Sequence, residues 1–278
     1  MSLSPWPVFP KIFLNETVSS HIALPLVAAP SVLKMPVAPM LDSPAPIISS
    51  SELYPRLLSH LVKINNLVSG GSGSGVIIWS GVDGKNQGHT FILTNRHVLP
   101  VGMPGTVEIF TYLNFRDVES IQTFPIYSVI QSITADLALV EIVSSEAMSN
   151  QASFISSDDF ENMPLYTELF IVGCGLGNPP FISPGRIIGF SHDTLMVNGF
   201  SVWGCSGGGV FDSQGKLVSI NSQIGMASVN GRDHPITNIS ISIPINVICD
   251  WLLETNYKFI VNSELGSLND IIKTKKFY

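Results

Sequence analysis

Gly204-Cys205-Ser206-Gly207-Gly208-Gly209 lies between the apolar runs 200–203 and 210–211. A serine flanked by glycines can project its hydroxyl from a tight turn while neighbouring backbone N–H groups converge on one point. That arrangement suits acyl transfer, in which a serine attacks a carbonyl and the oxyanion formed needs donors. Gly-Ser clusters are also ordinary loops, so the chemistry requires a base and a carboxylate elsewhere in the chain. His97 ends the apolar run Phe91-Ile92-Leu93 after the polar turn Thr94-Asn95-Arg96. A base must come within about 2.6–3.2 Å of the hydroxyl it deprotonates, and the end of a strand is a rigid place to hold it. Asp136 leads the strand-like run Leu137-Ala138-Leu139-Val140. A buried aspartate is costly unless it is paired, and the second nitrogen of the imidazole supplies a partner while fixing its tautomer. Taken singly, His97 reads as a turn histidine, Asp136 as a strand cap and Ser206 as a loop residue. Their joint occurrence in suitable contexts is the informative observation.

Thr94-Asn95-Arg96-His97-Val98, Ala135-Asp136-Leu137-Ala138-Leu139 and Gly204-Cys205-Ser206-Gly207-Gly208 occur in the order His, Asp, Ser. In this the chain resembles the chymotrypsin-like (trypsin-like) serine peptidases, and most of all their HtrA/Deg branch. Ser72-Gly73-Ser74-Gly75-Val76 is similar to the lead-in to that branch's first barrel strand. Gly177-Asn178-Pro179, Ser183-Pro184-Gly185-Arg186 and the pair 217–222 and 241–244 are similar to later segments, so the resemblance spans roughly residues 65–255. It implies an all-β fold of two six-stranded antiparallel Greek-key β-barrels with a short N-terminal helix and a C-terminal helix. It implies catalysis by His97, Asp136 and Ser206, an oxyanion hole at Gly204, Cys205 and Ser206, and no cofactor. The specificity pocket is expected at Phe200, at Ile220, Asn221, Ser222 and Gln223, and at Ser240 and Ser242. No acidic residue stands at the position of Phe200, so small or medium apolar residues are expected before the cleaved bond.

There are two departures. Cys205 stands where HtrA-like enzymes usually carry Asn, and Gly209 replaces the usual Pro or Ala. Viral relatives of the fold use a cysteine nucleophile directly before Gly-Gly, a place held here by Ser206. A PDZ domain of the kind many HtrA proteins carry is not expected. A peptidase fold serving as a silent binding or assembly module, or as a viral or phage maturation protein, is the alternative reading.

The whole chain sets further bounds. Its 278 residues, 45% hydrophobic and only 13% charged, suffice for a sizeable core. A formal net charge of −7 argues against nucleic acid as a partner. Lys273, Lys275 and Lys276 form the one basic cluster and read as a solvated tail. Cys174, Cys205 and Cys249 are too few and too dispersed for a disulfide framework or a zinc site; this weakly favours a reducing compartment. No signal-peptide pattern is evident, and no run approaches the roughly 18 apolar residues of a membrane span. Gly173, Gly175 and Gly177 follow a strand, but Pro179-Pro180 stands where a dinucleotide fold would open a helix. His21, His60, His89, His192 and His234 are expected to be structural.

Residues 1–50 read as a proline-rich extended arm, apolar enough to dock on the barrel or on an oligomer or assembly partner. Residues 51–66 carry an apolar stripe (Leu53, Leu57, Leu58, Leu61, Val62, Ile64) that predicts a helix, followed by a flexible Gly/Ser linker to residue 75. Short β runs punctuated by Gly and Pro then predict a barrel or sandwich, within a peptidase domain over 67–255. Its barrels are expected at about 70–150 and 160–245 on the resemblance. Asp212-Ser213-Gln214-Gly215 reads as a hairpin turn, 245–254 as a helix and 256–278 as a tail.

Overall fold

The structure, a computed structural model, describes residues 48–100, 102–113 and 117–275. Residues 1–47 of the arm expected over 1–50, and Lys276 of the basic cluster, lie outside the described residues. Ser50–Ser59 (α1) is followed by Leu61–Asn66 (β1), Ser72–Val82 (β2), Gly88–Thr94 (β3), Gly105–Leu113 (β4), Asp117–Gln131 (β5) and Ala138–Ser144 (β6). Ser157–Glu161 (α2) leads to Glu168–Gly173 (β7), Phe181–Phe190 (β8), Leu195–Gly199 (β9), Gly209–Phe211 (β10), Leu217–Val229 (β11) and Arg232–Pro244 (β12). Ile245–Leu253 (α3) and Leu268–Lys275 (α4) close the described chain.

The strands form two closed six-stranded barrels, β1-β2-β3-β6-β5-β4 and β10-β11-β12-β9-β8-β7. Each runs three strands in sequence and returns the next three in reverse order, and every pairing is antiparallel where its register is defined. Closure leaves no open sheet edge. The helices and the barrels, apart from residues 226–229 of β11 and 232–234 of β12, belong to one compact unit, 48–225 and 235–275 among the described residues. The described part of a second unit is residues 226–234. There Asn230 and Gly231 take φ of 52° and 73°, the left-handed pair that a two-residue hairpin requires.

Leu61–Asn66 is a strand, correcting the helix expected over 51–66. The helical stripe ends with Leu58, and Leu61-Val62-Lys63-Ile64 also alternates with period two, as a strand does. Pairing on both sides decides between the patterns: Val62 faces Gly75 of β2 and Ile109 of β4. The expected linker shortens likewise. Residues 67–71 form a turn in which Asn66 Oδ1 accepts from the N–H groups of Val68 and Ser69 at 3.0 and 3.1 Å, and Ser72–Gly75 already belong to β2. Strand β5 has no counterpart among the expected runs. Its outward-facing residues are mostly exposed and Pro125 interrupts the pattern; the ladder tolerates that proline next to a register shift at Ile126/Ser128. The expected 212–215 turn is present, with Gly215 at φ 73°. The expected tail is structured as far as α4.

Val62, Ile64, Ile77, Ile92, Val107 and Val140 fill the first barrel. β3 is buried along its whole length because the other face is covered too. Phe91 lies 5.2 Å from the Tyr257 ring and 6.2 Å from Phe259, and Trp79 meets Phe259 edge-on at 5.2 Å. The segment after α3 thereby clamps the strand that leads to His97. Phe259→Ala should destabilise the protein by about 3–5 kcal/mol, the usual cost of emptying a buried aromatic position, as read by urea unfolding.

Candidate active site

Antiparallel registers put the three expected groups at ends of strands. In β3 and β6, Thr94 pairs with Ala138, so the residues following β3 and those preceding β6 leave the barrel at the same end. His97 stands three residues beyond Thr94 and Asp136 two before Ala138. Backbone bonds fasten the loops together. Arg96 N–H donates to the Asp136 carbonyl at 3.3 Å, and Asn95 Nδ2 donates to the same oxygen at 2.9 Å. Arg96 Nη1 reaches the Ser132 carbonyl at 3.0 Å.

His97 Nδ1 lies 2.6 Å from Asp136 Oδ2, and His97 N–H donates to Oδ1 at 3.1 Å. The ring is gripped at one nitrogen and at its backbone, which leaves Nε2 as the free nitrogen. The imidazole side chain is 47% exposed, against 25% for the carboxylate, so the ring is accessible while its orienter is sheltered. Ser222 Oγ donates to Asp136 Oδ2 at 2.9 Å. Ser206 Oγ in turn donates to the Ser222 carbonyl at 3.1 Å. These contacts form a circuit from His97 through Asp136 to Ser222, whose hydroxyl holds the carboxylate and whose backbone carbonyl receives the Ser206 hydroxyl, crossing from the first barrel to the second.

Burial alone would raise the Asp136 carboxyl. The hydrogen bonds from the His97 ring, the Ser222 hydroxyl and the His97 backbone, with the nearby imidazole charge, outweigh it and hold the group below its ordinary value. Burial pushes the Cys205 thiol up and Cys174 up to about 12. Both are fully protonated buried thiols at neutral pH rather than nucleophiles. None of the three cysteines is disulfide-bonded.

The serine turn follows from β10 and β11. Gly209 pairs with Ile220, and beyond that pair Gly207 N–H donates to the Asn221 carbonyl and Asn221 N–H to the Gly208 carbonyl, both at 2.8 Å. Gly204 and Gly207 have φ of 96° and 85°, a region that disfavours any Cβ. At Gly207 a Cβ would also lie 2.1 Å from the Ser74 carbonyl and 2.2 Å from Thr94 Oγ1. Within the turn, Leu176 N–H donates to the Trp203 carbonyl at 2.7 Å. A trans peptide sets its N–H opposite its C=O, so the Gly204 N–H points away from Leu176. Neither Gly204 N–H nor Ser206 N–H donates to any described residue. The Cys205 N–H does, to the Val202 carbonyl at 3.0 Å, which removes Cys205 from the expected oxyanion donors.

The expected pocket residues scatter. Phe200 is 49% exposed with its ring 5.8 Å from that of Phe181, so it is not a buried pocket floor. Ile220 is fully buried in the barrel core. Ser242 is engaged by Ser219 Oγ at 2.8 Å and donates to the Leu195 carbonyl at 3.1 Å. Asn221 lies in a buried network: its Nδ2 donates to Ser201 Oγ at 2.9 Å, and its Oδ1 accepts from Ser240 Oγ at 2.5 Å. Of the expected wall only Gln223 is part-exposed. Ser222, expected in the wall, instead holds the carboxylate. Its signal in the sequence was its place two residues past the end of the β10 pairing, which only the register reveals.

The remaining histidines that the structure shows with partners are structural. His89 Nδ1 lies 2.8 Å from Glu141 Oε1, and His60 Nδ1 lies 3.0 Å from the Asn150 carbonyl, both buried. Among the described residues no group of His, Cys, Asp or Glu is arranged to hold a metal ion. No described helix is long and apolar enough to cross a membrane.

Residues 73–220 match the trypsin-like peptidase domain family, more than half of the chain, and the protein belongs to that family. The matched span contains His97, Asp136 and Ser206. A search among curated proteins returned no match.

A carboxyl whose folded pKa lies below its unfolded value stabilises the fold fully above the ordinary carboxylate range. The contribution is lost as pH falls through the lowered folded value. The stability difference between the wild type and Asp136→Asn, measured by urea unfolding, should be constant near neutral pH and shrink on acidification.

Proposed function

We propose that the chain is a serine endopeptidase that hydrolyses polypeptides through an acyl-enzyme. The hydrogen-bonded circuit joining His97, Asp136, Ser222 and Ser206 carries this reading. Ser206 attacks the carbonyl, His97 takes the proton at Nε2 and returns it to the leaving amine, and Asp136 holds the ring and stabilises the imidazolium. The free N–H groups of Gly204 and Ser206 receive the oxyanion. In the resting site the Ser206 hydroxyl donates to the Ser222 carbonyl, and rotation about its Cα–Cβ bond turns it toward the imidazole.

The substrate side is expected to take small or medium apolar residues before the cleaved bond. The buried polar groups near the turn, Ser201, Asn221 and Ser240, are spent on one another and present no charge to a lysine or arginine. The order and wording of the motifs, with Gly177-Asn178-Pro179, favour the HtrA-like branch. One observation favours the alternative of a silent peptidase fold used for binding or assembly: the Ser206 hydroxyl is engaged away from His97.

A fluorophosphonate probe decides between them. The wild type should be labelled on Ser206, Ser206→Ala should not, and an unlabelled folded wild type would establish the silent fold. With a cleavable peptide, Asp136→Asn should lower kcat by about 10⁴-fold, as loss of the correct imidazole tautomer does. Profiling against a peptide library should show small apolar residues at the cleaved position; dominance of lysine or arginine would refute the specificity reading.

A further inference from the structure

The nucleophile turn belongs to the second barrel, yet two of its carbonyl groups are held from the first. Ser74 of β2 makes the connection. Its N–H donates to the Ser206 carbonyl at 2.8 Å. Its hydroxyl donates to the Gly204 carbonyl at 2.7 Å and accepts from the Cys174 N–H at 2.7 Å. Its own carbonyl accepts from Thr94 Oγ1 at 2.7 Å, and Thr94 is the last residue of the strand leading to His97. Ser74 is fully buried, and its side chain serves as donor and acceptor at once.

The carbonyls of the turn can be accounted for one by one. Trp203 is held by Leu176 N–H, Gly204 by Ser74 Oγ, and Ser206 by Ser74 N–H. Cys205 is held by Gly208 N–H at 2.9 Å and by Asn221 Nδ2 at 3.2 Å. With these carbonyls fixed inward, the N–H groups of Gly204 and Ser206 have no partner among the described residues. Of these anchors, only the one on the Gly204 carbonyl is a single side-chain hydroxyl reaching across from the other barrel. That peptide joins Gly204 to Cys205, whose N–H is held by the Val202 carbonyl, and Gly204 at φ 96° lets it rotate if the hydroxyl is lost.

We infer that Ser74 is a positioning residue for catalysis: its hydroxyl, bridging Cys174 N–H and the Gly204 carbonyl, locks the nucleophile turn in the orientation that presents the oxyanion donors and sets that turn in register with the histidine strand. The inference rests on the serine-peptidase reading for its effect on turnover, but not for its effect on the order of the turn. Removing the hydroxyl leaves the Cys174 N–H and the Gly204 carbonyl buried and unpaired, and the turn relaxes to satisfy them.

Ser74→Ala and Ser74→Thr, the latter keeping the hydroxyl, are compared with the wild type in two assays. The first is hydrogen exchange followed by mass spectrometry. Ser74→Ala should exchange at least about 10-fold faster over residues 203–208, with β8 and β9 unchanged, whereas Ser74→Thr should match the wild type. The second is fluorophosphonate labelling together with peptide turnover. Ser74→Ala should be labelled and turn over at least about 10-fold more slowly with KM little altered, approaching the roughly 10²–10³-fold cost of a lost oxyanion donor. Unchanged exchange over 203–208 in Ser74→Ala overturns the inference. So does a threonine variant as impaired as the alanine one, since the hydroxyl would then not be what matters. A wild type that takes up no label refutes the peptidase reading alone, and the exchange assay still decides the role of Ser74.

Discussion

The Asp136 carboxylate is the point on which the site depends. It is three-quarters sheltered, and a sheltered carboxylate must be met by donors. Three arrive: the His97 ring, the His97 backbone N–H and the Ser222 hydroxyl. Two come from the loop after β3 in the first barrel and one from β11 in the second. Satisfying one buried charge therefore orients the imidazole and brings the strand beside the serine turn to the same place. The lowered pKa of the carboxyl expresses that surplus of donors over desolvation.

Around this charge the two barrels contribute differently. The first supplies a stiff frame: β3 is covered on one face by the barrel core and on the other by Tyr257 and Phe259, so His97 sits just past the end of a strand with little room to move. The second supplies a turn with two left-handed glycines, whose shape comes from hydrogen bonds rather than from packing. Such a turn can present bare N–H groups because it has few side chains to bury them. The same feature makes its order depend on outside anchors, and Ser74 is the one that crosses between barrels.

Much of this was legible in the chain. The groups at His97, Asp136 and Ser206 announced themselves by residue type and local context, because acid–base and nucleophilic chemistry can be done by few side chains. Short apolar runs between turn residues indicated a barrel or sandwich, and the family resemblance chose the two barrels. Other elements were not legible for identifiable reasons. The 61–66 segment satisfies helical and strand periodicities together, and its fate was settled by β2 and β4 lying on either side. β5 carries a proline and faces outward, so it offers little alternation to read. The pocket expectation failed at Ile220 and Ser242 because residues near in sequence to a functional strand alternate between the barrel interior and the site.

Sequence alone thus pointed to the family and singled out the candidate groups, since these reside in side-chain chemistry and in short motifs. Tertiary structure decided which groups touch. That Ser222 holds the carboxylate, that the Cys205 N–H is occupied while those of Gly204 and Ser206 have no partner among the described residues, and that Ser74 reaches the Gly204 carbonyl 130 residues away in the chain are all matters of strand register and of a contact between the barrels. Hydrogen bonds form between neighbours in space, and no local pattern in either segment encodes such a neighbour.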